Sequence, residues 1–277
     1  MMNVQRALLR GERLHLQHGP IDLVIGVEGD RKAAFAAAEA RFATVLAELM
    51  QEIDLLRCSK GPKPQGAIAR KMWQNAQVHD GFVTPMAGVA GAVAETILSA
   101  MQGAAEMTRA YVNNGGDIAL HLAKDAKFSV GMAGLDGAAL GQITLDADSP
   151  VRGIASSGQG GRSLSFGIAD SVTVLARSAC AADVAATLIA GAVDLADHPS
   201  IKRVPAQSLR EESDLAARLV VHHVGALCEG EIANALEAGA NRARKMQENG
   251  LVCAASLHLR GASRQIELNT RKVLDHA

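Results

Sequence analysis

Between Leu14 and Val27 the apolar side chains fall on alternate residues, and from Phe35 to Leu56 they fall on every third or fourth. That change of period constrains the chain more than any other feature: alternation suits strands with one buried face, and the longer spacing suits a helix with one apolar stripe. Leu14 and Leu16 precede Gly19-Pro20, and Ile21, Leu23, Ile25 and Val27 follow, so residues 12–28 read as a hairpin. Asp30 then stands as a helix N-cap before Phe35, Ala38, Phe42, Val45, Leu46, Leu49, Ile53 and Leu56. Gly61-Pro62 closes that helix, and Lys60 to Gly66 reads as a loop.

A second helix is expected within 84–110, followed by strands at Ile118, Leu120, Leu122 and at Phe128, Val130, Met132, which makes the first part β-β-α-α-β-β. The remainder repeats that order. Strand-like pieces at 142–146 and 171–175 precede an alanine-rich helix near 178–196, and Pro199 and Pro205 break the chain before another helix at 229–248. Leu251, Cys253, Ala255, Leu257 and Leu259 then alternate, Gly261-Ala262 turns, and Ile266 and Leu268 return. Local echoes pair residues 82–87 with 171–176 and residues 92–97 with 183–188, as a duplication would. The expected fold class is α+β: a two-layer body of two pseudo-repeats, 12–135 and 138–270, with helices on one face of antiparallel sheets.

Composition narrows the function classes. Hydrophobic residues are 48% of the chain, yet no charge-free apolar run reaches the roughly 18 residues of a membrane span. The first residues carry Arg6, Arg10, Glu12 and Arg13 without a sustained apolar stretch, so the expectation is a cytoplasmic protein with no membrane partner. Cys58, Cys180, Cys228 and Cys253 form no C-x-x-C pair and read as buried free thiols. With 28 basic against 29 acidic residues and only 3% aromatics, the chain offers neither a field nor stacking platforms for nucleic acid. A small-molecule ligand is the expected partner, and a homo-oligomer stays open.

Three clusters could carry chemistry. Asn113-Asn114-Gly115-Gly116-Asp117 offers paired glycines that tolerate positive φ and let a ligand approach bare amides; a helix C-cap followed by a turn would look the same. Ser156-Ser157-Gly158-Gln159-Gly160-Gly161-Arg162-Ser163 could form an anion nest with Arg162 as a fork for phosphate, or a mobile surface loop. It lacks the Gly-Lys-Ser/Thr ending of a P-loop. Asp183 and Thr187 share a helix face four residues apart and are hard oxygen ligands suited to Mg²⁺, although an early acidic residue also suits a helix dipole. His222 and His223 are adjacent, so on a strand they would point to opposite faces and could not chelate one metal together.

These clusters carry a resemblance. "YVNNGGDIAL" at 111–120 resembles the Gly-Gly segment of the ApbE-like (FAD:protein FMN transferase-like) superfamily, and "DSVTVLARSACAADVAATLIAGAV" at 170–193 resembles its strand followed by an Ala-Asp-x-x-Ala-Thr helix. "AGVAGAVAETI" at 87–97 is similar to its Gly-Ala-x-Ala segment, and with Val83-Thr84-Pro85-Met86 and "RGIASSGQGGRS" at 152–163 the chain looks closer still to a cytoplasmic branch. The resemblance implies a duplicated tunnelling-type (T-fold-like) fold with a flavin-nucleotide (FAD or FMN) and Mg²⁺ site between the halves. Asp183 and Thr187 would bind the metal with a backbone carbonyl near Ala92, and Gly115, Gly116, Asp117, Ser157, Gly158 and Arg162 would line the flavin site.

The chain also departs from that pattern. The resemblance calls for a histidine and an Asp-Pro pair after the Thr-Ser-Gly loop, where residues 162–170 have neither, and for a lysine where Glu95 stands. The expectation is therefore a protein that binds a flavin nucleotide, or a similar flat phosphate-bearing heterocycle, and transfers FMN to protein poorly. A Mg²⁺-dependent transferase or hydrolase, a non-catalytic flavin or pterin carrier, and a structural protein with a relict site are the three readings to separate.

Overall fold

The computed structural model describes residues 4–133, 139–161 and 163–268. Strands β1 (Gln5–Leu9), β2 (Arg13–His18) and β3 (Ile21–Gly29) lead into α1 (Arg31–Gln51), the short α2 (Ile53–Leu56), α3 (Ala67–Gln77) and α4 (Val89–Ala104), and then β4 (Met107–Asn114) and β5 (Asp117–Leu122). A separate hairpin, β6 (Lys127–Ala133) and β7 (Ala139–Asp146), precedes β8 (Gly153–Ser157), β9 (Ser171–Ala176) and α5 (Ala179–Ala192). A second small hairpin, β10 (Ile201–Pro205) and β11 (Leu219–Val224), encloses the short α6 (Ala206–Leu209). The described chain closes with α7 (Glu229–Glu248), β12 (Ala254–Leu259) and β13 (Ala262–Ile266).

Among the described residues nine strands form one antiparallel sheet in the order β1-β2-β3-β4-β5-β8-β9-β12-β13. The sheet is amphipathic for the reason the alternation suggests: Leu14, Leu16, Leu23 and Ile25 are fully buried from β2 and β3. They meet α1, whose stripe of Ala34, Phe35, Ala38, Phe42, Val45 and Leu49 is buried and whose N-cap, Asp30, accepts the Ala33 amide at 3.1 Å. One core cluster joins α1 and α4 to β2–β5, and a second joins α5 and α7 to β8, β9 and β12. The opposite face of the sheet is covered in part by the β6–β7 hairpin, where Leu145 and Phe128 pack on Leu120, Ile154, Leu175 and Ala254. Among the described residues no helix is long and apolar enough to cross a membrane.

The α+β class and antiparallel sheets are as expected, while several elements differ. Helix α4 stops at Ala104, and Met107–Asn114 is a strand rather than the tail of a helix. Its buried residues Met107, Ala110, Val112 and Asn114 show period-two alternation only from Ala110 on, and alanine gives that pattern little apolar contrast. The sheet strands that follow α4 are consequently β4 and β5, and Phe128 to Met132 belongs to the separate hairpin. Strand β1, helix α3 and the β10–β11 hairpin were not expected: β1 is largely exposed, β10 is broken by a bulge at Lys202/Arg203, and α3 is absent from the expectation although Ile68, Ala69, Met72 and Ala76 recur at helical spacing. Cys180 is buried, whereas Cys58 and Cys228 are exposed, contrary to the expectation of buried thiols.

Candidate ligand and metal site

The site forms where α4 and α5 cross. Gly91 lies so near the start of α5 that a Cβ on it would sit 2.3 Å from the Ala179 carbonyl oxygen, so only glycine admits this approach. Closeness lets each helix cap the other. The Asp183 carboxylate on α5 accepts the Gly91 amide in the first turn of α4 at 3.0 Å, and Glu95 on α4 accepts the Cys180 amide in the first turn of α5 at 2.8 Å. Ser178 adds its own cap by accepting the Ala181 amide at 3.2 Å. These are the unpaired amides that helix N-termini expose, and the positive dipole ends favour carboxylates there. Contacts of residue 91 with 183 and of 95 with 180 run in opposite senses, so the helices are antiparallel.

Below α4, the β4–β5 hairpin brings in the paired glycines. Asn114 is buried and donates its side-chain amide to the Ala90 carbonyl at 3.2 Å, fixing the hairpin to the start of α4. Gly115 and Gly116 make the turn at φ of 67° and 114°, and the Gly116 amide donates to Asn113 Oδ1 at 2.8 Å. Nothing lies within 4 Å of the place a Gly116 Cβ would occupy, so the glycine is required by backbone conformation and the space over it is open. The turn is a strand-to-strand one, not the helix C-cap that its sequence also allowed.

Asp117 ties this turn to the second half, its Oδ1 accepting the Ser156 amide on β8 at 3.2 Å. It also faces Asp183 electrostatically. Asp183 retains some exposed surface but is surrounded by protein, a recessed position, and its carboxyl is raised well above 3.8: burial contributes most, Asp117 adds repulsion, and the Gly91 and Ala90 amides oppose both. A carboxylate that is costly to ionise, with a second one near it, is a setting in which a cation relieves the charge. Thr187 follows Asp183 by one helical turn and is partly buried. Among the described residues no group of three or more His, Cys, Asp and Glu side chains could hold a metal, and the expected ligands Asp183 and Thr187 bring one carboxylate and one hydroxyl from α5.

Other expected site residues are placed less simply. Ser157 ends β8 beside the Asp117 contact, and Gly158 has φ of 142° with its Cβ position 2.6 Å from the Asp170 carbonyl. The next amides are already used: Gln159 donates to Ala169, Gly160 to Asp170 and Gly161 to Gly158. The loop is therefore anchored rather than an open amide nest. Arg162 lies outside the described residues. Ala92 is fully buried, and its carbonyl accepts the Thr96 hydroxyl at 2.7 Å. Glu95 does not face a ligand alone, because its second oxygen accepts from Lys71 Nζ at 2.6 Å.

Sequence reasoning missed the charge interaction of Asp117 with Asp183 and the mutual capping. The one local signal was Glu95 lying a helical turn beyond Gly91.

Comparison with known proteins finds relatives, solved structures and a family model that the chain resembles. Relatives include UPF0280 proteins from Methanothermobacter thermautotrophicus (34% identical over 149 residues, 53% of this chain and 55% of the relative) and Methanoregula boonei (38% over 133 residues, 47% and 55%). The chain spans about half the length of the curated relatives it matches. Two solved structures align over nearly the whole chain at 11% identity: the apo flavinyl transferase ApbE of Pseudomonas stutzeri (TM-score 0.44, 100% of this chain and 98% of that one) and the flavin transferase ApbE of Vibrio cholerae (TM-score 0.38, 98% and 99%). A family model described as "AbpE bacteria" matches residues 5–265, nearly all of the described chain, and the chain belongs to that ApbE-like family.

Proposed function

We propose that this protein binds a flavin nucleotide, FAD or FMN, or a similar flat phosphate-bearing heterocycle, together with Mg²⁺, at the crossing of α4 and α5. The observation that carries this reading is the recessed Asp183 carboxylate, set on the first turn of α4 beside Asp117 and the open Gly115–Gly116 turn. Asp183 and Thr187 would hold the metal, with Asp117 close enough to share its charge. Bound there, the ion would neutralise charge on phosphate oxygens. The open face over Gly116 would admit a flat ring, and Ser157 would offer a hydroxyl beside it. Family membership supports the reading.

Binding without efficient transfer is the form of the activity we favour. A lysine at position 95 would offer an anionic ligand a cation, whereas Glu95 is bonded to the start of α5 and to Lys71. Catalysis requires the transition state to be held more tightly than the bound ligand, and this arrangement supplies no added charge for that. Incubation with FAD, Mg²⁺ and a flavinylation acceptor separates the possibilities by flavin fluorescence and acceptor mass. Retention of flavin with little acceptor modification is expected. Efficient modification would establish a transferase, and absence of flavin or pterin affinity at near-millimolar ligand would leave a structural role.

The internal duplication belongs to the same proposal. The orders β2-β3-α1-α4-β4-β5 and β8-β9-α5-α7-β12-β13 run alike once α2, α3, α6 and the two small hairpins are set aside, and a repeat origin for 12–135 and 138–270 would account for a site assembled from both. A cytoplasmic setting and a homo-oligomeric form stand as proposals beside it.

A further inference from the structure

The face of the sheet turned away from the helices carries a second feature. Across β8, β9 and β12 the register places Ile154, Leu175 and Ala254 in one row, and the next row on the same face is Ser156, Thr173, Ser256 and, on β13, Gln265. Residues between these rows, such as Ala155, Val174 and Ala255, point the other way into the helix-side core. An apolar row thus lies directly beside a hydroxyl and amide row. The hydroxyls are oriented: Ser156 pairs with Thr173 at 2.9 Å, and Ser256 with His258 Nε2 at 2.8 Å.

The β6–β7 hairpin overhangs this boundary with Val130 and Ile143, and beneath it lies a half-open cavity of about 290 Å³. That volume lies just below the range for small-ligand sites, roughly 300 Å³ upward, and an apolar lining with a few convergent polar groups is their usual chemistry. Glu267 is the ionisable side chain among the described lining residues, so the cavity offers no cation to a phosphate or carboxylate.

We propose that this cavity is a second ligand site, taking a neutral molecule of about two fused rings whose apolar body lies on Ile154, Leu175 and Ala254 and whose hydroxyl or amide end bonds to Thr173 and Ser256. Its chemistry is the opposite of the helix-side site, which is built for anionic groups and metal. The two sites lie on opposite faces of one sheet, and occupation of one does not require the other.

The test uses the full chain and the neutral fluorophore N-phenyl-1-naphthylamine. Saturable one-to-one binding is expected, and Ala254→Phe, which fills the floor, should weaken it by about tenfold or more, the equivalent of about 1.4 kcal/mol. Should Ala254→Phe fail to fold by circular dichroism, Ile143→Ser, which removes part of the hairpin wall, gives the decisive reading and should weaken binding several-fold. Naphthol should displace the probe better than naphthalene, and Thr173→Val with Ser256→Ala should erase that preference. Asp183→Asn should leave all of this unchanged. Probe affinity indifferent to both cavity variants overturns the site, and loss of no hydroxyl preference in the double variant overturns the polar contact. Equal affinity for anionic anilinonaphthalene sulfonate, lost in the same variants, overturns the neutral-ligand assignment.

Discussion

Asp183 shows how one side chain can serve both architecture and chemistry. Its carboxylate accepts an α4 amide, yet burial and Asp117 raise its pKa, so the folded protein holds this proton more tightly than the unfolded chain does. The sign follows: its contribution to stability is complete below pH 3.8 and is lost as pH rises through the higher folded value. Asp183→Asn keeps an acceptor for Gly91 and drops the charge, so urea melts should show the variant losing less stability than wild type above that window. Calorimetry should show weaker Mg²⁺ binding by the variant. Equal Mg²⁺ affinity in both proteins would remove the metal role, and a lower melting temperature without metal would make capping its main work. His79 has the opposite sign. Burial, with help from Arg242, lowers its pKa from 6.5 to about 4, so stability is full above 6.5 and falls as pH drops toward 4. His79→Gln should flatten that fall, measured as the urea midpoint at pH 7 and pH 5.

At the scale of elements, the α4–α5 crossing is held by carboxylates placed on each other's first turns. Each cap sits on a different helix from the amides it satisfies, so neither helix start is complete without the other. Glu95 is mostly buried, its side chain 17% exposed, and Lys71 neutralises it. Glu95→Ala leaves the Cys180 amide and the Lys71 ammonium without that partner, and should cost about 1–3 kcal/mol, the usual penalty for an unsatisfied buried group. Glu95→Gln should cost less, because an amide oxygen still accepts from Cys180. Chemical denaturation of both variants checks the order, and equal stability of Glu95→Ala and wild type would mean the cap is replaced by water. The β4–β5 turn depends on the same junction, since Asn114 reaches the Ala90 carbonyl.

Over the whole molecule, one sheet carries two helix-side cores. The seam between them is narrow, with β5 and β8 paired only at Ile118↔Ile154 and Ala119↔Gly153. Packing of α5 on α4 reinforces it: Ala179 and Cys180 from α5 belong to the first core. A fragment of residues 4–133 therefore lacks the groups that close its core and cap α4, and should be largely unfolded alone by circular dichroism, gaining structure when mixed with residues 139–277. A cooperative melt of the isolated fragment would show that the first half needs no partner.

How much could be read beforehand varies by interaction range. The β2–β3 alternation, the α1 stripe with its Asp30 cap, and the α5 and α7 helices were legible because strand and helix periodicity are properties of neighbouring residues. Gly115, Gly116, Asp183 and Thr187 were visible as chemical types. Strand β4 was less visible because Ala110 contrasts weakly with its neighbours, and the Asp117 contact with β8 pairs residues 39 positions apart. Local sequence by itself determined the β2–β3 hairpin, the helices α1, α5 and α7, and which of their faces are apolar. Tertiary structure alone decided that Asp183 and Glu95 cap each other's helices, that Asp117 stands against Asp183, and that a hydroxyl row borders an apolar one under β6–β7, because each depends on chain segments whose approach no local pattern records.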